Sequence, residues 1–173
     1  MSAITVSAPA PVVGAPARAA LEAAGGFALL GVCAGLGAGA PYRVPSLALT
    51  ALIVPLGAWV VTGLSVLVVH QFLDLDARPE DIAAALGQGF VRTGQLAASL
   101  APVMLFMAAT SDSRMAIACL LMGAVAACGL PATARQLRRA EPQSDHAGFR
   151  WLIRGWLLFT TLVGLRIGLD LVG

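Results

Sequence analysis

The chain has 173 residues, 58% of them hydrophobic and 12% charged, with a formal net charge of +2 and a mean hydropathy of +0.85. About a quarter of an average soluble domain is charged, so this chain has too few charges to clothe a water-facing surface, whereas a bilayer demands an apolar exterior. The near-neutral charge, and sparse aromatics that do not alternate with the arginines, exclude a nucleic-acid surface.

All 11 basic residues are arginine, and alanine and glycine are abundant, which reads as a GC-rich coding bias and a bacterial source. The fold expected is an all-α, polytopic transmembrane helix bundle of about five spans. Residues 1–19 are expected to be a flexible tail, because residues 1–16 carry no charged side chain and are rich in Ala, Pro and Val. A secretory signal starts with a basic region, and here the first basic residue is Arg18. Residues 20–173 then form a single transmembrane domain.

The first expected span covers residues 20–40. Gly31, Gly35 and Gly39 are spaced four apart, which places them on one helix face and lets a neighbouring backbone approach. The second, at 45–72, exceeds the ~20 residues that cross the hydrocarbon core; tilt or a kink at Pro55 absorbs the excess. A strand is excluded there, since an open strand in lipid leaves its backbone unpaired.

Residues 73–89 are polar, and Pro79-Glu80-Asp81 has the form of a helix start, with proline in the first turn and acids at the positive end of the dipole. A short interfacial helix is expected to lead from there into the third span at 90–110, which contains Pro102. A tight turn at Asp112–Arg114 precedes a fourth span at 115–134. A basic loop follows, then a fifth span at 151–172 with Trp151 and Trp156 near its start, where interfacial tryptophans belong.

With five spans, the tail and the second and fourth connections share one side with Arg18, Arg78, Arg92, Arg135, Arg138, Arg139, Arg150 and Arg154; the other side holds Arg43, Arg114 and Arg166. The excess of arginine places the N-terminus in the cytoplasm, in a bacterial inner membrane.

Ionisable groups inside spans are functional candidates by default. His70 and Asp74 are four apart near the end of the second span, so on a continuous helix the carboxylate would hold the imidazole. Arg92 and Gln95 lie at a similar depth in the third span, with Arg92 positioned to reach lipid phosphates or Asp74. Arg166 and Asp170 form a second i,i+4 pair. Pro55 and Pro102 are candidate kinks that free backbone carbonyls, for which Thr50, Thr62 and Ser99 are nearby hydroxyls. The three cysteines, Cys33, Cys119 and Cys128, lie in apolar runs without a CxxC pair or a histidine partner, as small apolar residues do. No catalytic, cofactor or metal motif is present: HExxH, the phosphate-binding loop and GxSxG are all missing.

The stretch Leu96–Phe106 (LAASLAPVMLF), following Pro45 and Pro55 and preceding a short turn, resembles small bacterial multi-span proteins of the Yip-like type. The resemblance implies five spans and residence in a membrane, and eukaryotic members of that type act in vesicle trafficking. The function expected is that of a non-enzymatic integral membrane protein, a structural or partner-binding component of a membrane assembly. Its partners are the lipid bilayer and either another membrane protein or a second copy of the chain. The alternative is a small transporter or channel subunit working as an oligomer, built on the polar residues and prolines above.

Overall fold

The computed structural model describes residues 15–111, 114–141 and 147–172, with side-chain surroundings for 18–111, 123–141, 147–164 and 166. These residues form five long helices, and no strand occurs among them: α1 (Ala15–Gly37), α2 (Val44–Phe72), α3 (Pro79–Thr110), α4 (Arg114–Ala140) and α5 (Ala147–Val172). Three segments, Arg18–Gly37, Pro41–Phe72 and Pro79–Thr110, are long and apolar enough to cross a membrane. Of the tail expected over 1–19, residues 1–14 lie outside the described residues, and 15–19 already belong to α1. The turn expected at Asp112–Arg114 also lies outside them at 112–113.

Helix α1 is the centre of the bundle, packed between α2 and α3; α4 lies against α3, and α5 against α2. Small residues explain why α1 takes that place. A Cβ on Gly26 would run into the Gly94 carbonyl of α3, and one on Gly94 would meet the Ala23 backbone. On another face, Gly31 abuts Leu47 and Ala48 of α2, and Gly35 abuts Val44. Lipid tails are as apolar as leucine, so helices in a bilayer associate through such close packing more than through burial of greasy area.

Gly39 acts differently from the ridge expected of it. It lies beyond α1, at φ +63° with open space at its Cβ position. The Gly39 amide donates to Leu36 and the Ala40 amide to Gly35, the paired bonds of a glycine-terminated helix. Gly39 therefore stops α1, and a 3-10 turn at Pro41–Arg43 reverses the chain into α2.

At Pro79 the chain starts α3 with Arg78 extended before it, and Glu80 and Asp81 in the first turn. No break separates an interfacial helix from the third apolar segment; one 32-residue helix carries both. Pro55 and Pro102 likewise lie inside uninterrupted helices. Two of the three nearby hydroxyls serve other carbonyls than those the prolines free: Thr62 donates to Ala58 at 2.6 Å and Ser99 to Leu96 at 2.8 Å.

Two apolar clusters fill the bundle. One joins α1, α3 and α4 through Ala23, Phe27, Leu30, Phe90, Ala97, Met104 and Val125, with Phe27 and Trp59 each packed at a tilt on Phe90. The other gathers Val66, Ile82, Leu86, Leu137, Phe149 and Trp156 where α2, α3, α4 and α5 converge.

Candidate functional site

The polar residues of interest collect at that convergence. Helix α2 ends at Phe72, and Asp74 stands exposed in the turn beyond it with φ +50°. The helix ends two residues too early for Asp74 to share a face with His70. His70 instead meets Glu141, the residue that follows α4, with Nε2 2.7 Å from Oε2. Both are 2% exposed. The Ala77 amide, in the connection between α2 and α3, donates to the same carboxylate oxygen at 3.4 Å. With Glu141 ionised, a carboxylate only accepts, so the imidazole donates through Nε2.

Local chemistry explains why Glu141 is where it is. Residue 142 is proline, and a residue before proline is driven from the helical region. The helix gives out at Ala140, the Glu141 amide still closes the last turn on Leu137, and the side chain turns inward beneath the α2–α3 connection. A buried carboxylate needs partners, and His70 and Ala77 supply them. The result ties the residue that follows α4 to the end of α2 and to the α2–α3 connection, which lie 71 and 64 residues away in sequence. Buried at 2% exposure and joined to each other, His70 and Glu141 have the geometry of a brace between helices.

Arg92 is exposed on α3, and its partner is Gln136 of α4 in place of Asp74. With the carboxamide oxygen of Gln136 turned toward it, the guanidinium donates from Nη1 at 2.8 Å and Nη2 at 3.1 Å. Gln95, one turn beyond Arg92, is exposed. The close contact of α3 with α4 makes the Arg92 bond possible: a Cβ on Gly89 would strike Thr133, and one on Gly129 would strike Thr93.

Beside Gln136, an open hollow of about 270 Å³ is lined by Asp81, Ala84, Ala85, Gln88, Arg139 and Ala140 as well as Gln136 itself. A smaller hollow of about 130 Å³ between α2 and α3 is lined by Trp59, Val60, Gly63, Leu64, Leu67, Ala83 and Leu86. Trp59, in its lining, donates to the Leu86 carbonyl at 3.1 Å.

On α5, Trp151 is exposed with Arg154 over its ring at 5.8 Å, whereas Trp156 is buried in the second apolar cluster. The side chains of Asp170, Cys119 and His146 lie outside the described residues. Sequence reasoning passed over Glu141 and Gln136. The usable signal for Glu141 was its place before proline at the end of an apolar helix; for Gln136 it was a polar residue on the same helix as the apolar run, about one turn before that end.

Comparison of the chain with protein-family models, with curated proteins and with solved structures finds no match.

Proposed function

We propose that this chain is a multi-pass protein of the bacterial inner membrane without catalytic activity of its own, a structural or partner-binding component of a membrane assembly. The observation that carries the reading is the outer face of α2. Leu49, Ile53, Leu56, Val60, Leu64, Val68 and Phe72 recur every three or four residues and are all exposed, from 40% at Leu56 to 86% at Phe72. Exposing a large apolar side chain to water costs roughly 1.5–3 kcal/mol, so seven in a row fit lipid and not solvent. In this reading all five helices span, the N-terminus is cytoplasmic, and the likeness to Yip-like proteins concerns architecture alone. A transporter or channel subunit has less support, since Pro55 and Pro102 lie inside continuous helices and His70 and Arg92 meet Glu141 and Gln136 and not Asp74.

Expression with separate tags on the two termini tests both parts. The chain is expected to stay in membranes through an alkaline carbonate wash and to leave only with detergent. The two tags should react from opposite faces of sealed vesicles. A protein that is monodisperse in buffer without detergent sinks the membrane reading; tags on the same face sink the five spans. Purification as a lone monomer across several detergents, with no second membrane protein retained, counts against the assembly role.

A further inference from the structure

The hollow between α3 and α4 has an unusual lining for a surface beside an apolar span. Asp81 and Arg139, of opposite charge, both face it, and among the described residues neither has an ion-pair partner. The helix dipoles account for an acid in the first turn of α3 and a base in the last turn of α4. They do not account for both charges sharing one hollow unpaired, nor for Gln88 and Gln136 lining the same space. Gln136 is 8% exposed and is held in place by the Arg92 guanidinium. Ala84, Ala85 and Ala140 keep the floor shallow and open.

In the membrane reading proposed above, the hollow lies at the depth of lipid headgroups. Asp81 and Gln88 precede the apolar run of α3, and Arg139 follows that of α4. A ligand that fits carries a cation and an anion a few bonds apart, with oxygens for the amides. Guanidinium groups suit phosphate oxygens, and a carboxylate accepts from a primary ammonium.

We propose that this hollow binds the phosphoethanolamine headgroup of a membrane lipid, with the phosphate on Arg139 and the ammonium on Asp81, and with Gln88 and Gln136 at the phosphate ester oxygens. The inference rests on the chain being embedded in a membrane. A choline headgroup lacks the N–H that Asp81 needs, and a glycerol headgroup lacks the cation.

The test is native mass spectrometry of the full chain in detergent, with phosphatidylethanolamine, phosphatidylglycerol and phosphatidylcholine of identical acyl chains. A partly exposed charge pair contributes up to about 1 kcal/mol, so the ethanolamine lipid is expected to bind about three- to fivefold more tightly than the other two. Asp81→Asn should abolish the preference over phosphatidylglycerol. Arg139→Gln should weaken the ethanolamine lipid by a similar factor, and Arg138→Gln, one position away and not lining the hollow, should leave it unchanged. Equal binding of the three lipids by the wild-type chain overturns the proposal, as does a loss at Arg138→Gln equal to that at Arg139→Gln. Soluble glycerophosphoethanolamine competing as well as the intact lipid overturns the lipid as the source. A chain that washes out of membranes fails the preceding reading instead, and is told apart by that wash alone.

Discussion

Along α1 and α3 the helices touch backbone to backbone, with Gly26 against Gly94 and Gly37 against Leu105 and Ala108. At the convergence of α2, α3, α4 and α5 the contacts are bulky, with Phe149, Leu137 and Ile82 in one apolar cluster, and a buried His70–Glu141 pair joins the ends of α2 and α4. The first region is held by the absence of side chains, which lets dispersion act over a long, close contact. The second is held by large side chains and a polar tie whose members have been drawn away from water. The two should fail differently: the tie by losing a partner, the close contact by gaining an atom.

The largest effect is expected at the tie. Glu141→Ala leaves the His70 imidazole and the Ala77 amide facing an apolar cluster without their acceptor. Removing one member of a buried polar pair costs on the order of 3 kcal/mol, which should appear as a marked fall in the apparent unfolding temperature in detergent. Glu141→Gln retains an acceptor and should lose clearly less. The double variant His70→Ala/Glu141→Ala should lose less than the two single losses combined, because each single change already breaks the same contact. Additive losses would mean that the two residues act separately and that the tie is not a unit.

How far the sequence reaches differs between the two regions for a physical reason. Long apolar runs dictate helices, because no other open structure satisfies its backbone in lipid, and the all-helical class follows from that. Spacing also fixes which residues share a face, as Gly31 and Gly35 do. It does not say which helix that face meets: Gly31 and Gly35 meet α2, whereas Gly26 and Gly37, on the same helix, meet α3. Glu141 lies 71 residues from His70, and nothing local in either segment names the other. The i,i+4 rule pointed to Asp74 instead, and that rule holds only while the helix continues. Leu73 and Asp74 close the final turn of α2 on Val69 and Gln71, and the backbone then turns through a positive φ at Asp74. Gly39 shows the same limit, since a regular spacing of glycines looks alike whether the last one packs or stops the helix.

A smaller effect is expected at the close contact. Gly26→Ala places a Cβ against the Gly94 carbonyl. The carbonyl is backbone and cannot swing aside, so relief requires α1 and α3 to move apart. Overpacking of this kind costs about 1–3 kcal/mol, read in the same detergent melt. Should Gly26→Ala melt with the wild type, the α1–α3 contact is looser than its geometry and the contrast between the two regions collapses.

The smallest effect sharpens the contrast within α1 itself. Gly25 is the neighbour of Gly26 in the same turn, but it is exposed and has open space at its Cβ position. Alanine there meets nothing, and it narrows the conformations open to the unfolded chain while favouring the helix. Gly25→Ala should therefore raise stability by about 0.5–1 kcal/mol, a shift opposite in sign to that of Gly26→Ala one residue away. The opposed signs separate packing from propensity, because helix propensity alone predicts a gain at both positions. A loss at Gly25 comparable to that at Gly26 would mean that the outer face of α1 is covered as well, by another copy of the chain or by a partner, and melts across a range of detergent-to-protein ratios would then expose that contact as a concentration-dependent stability.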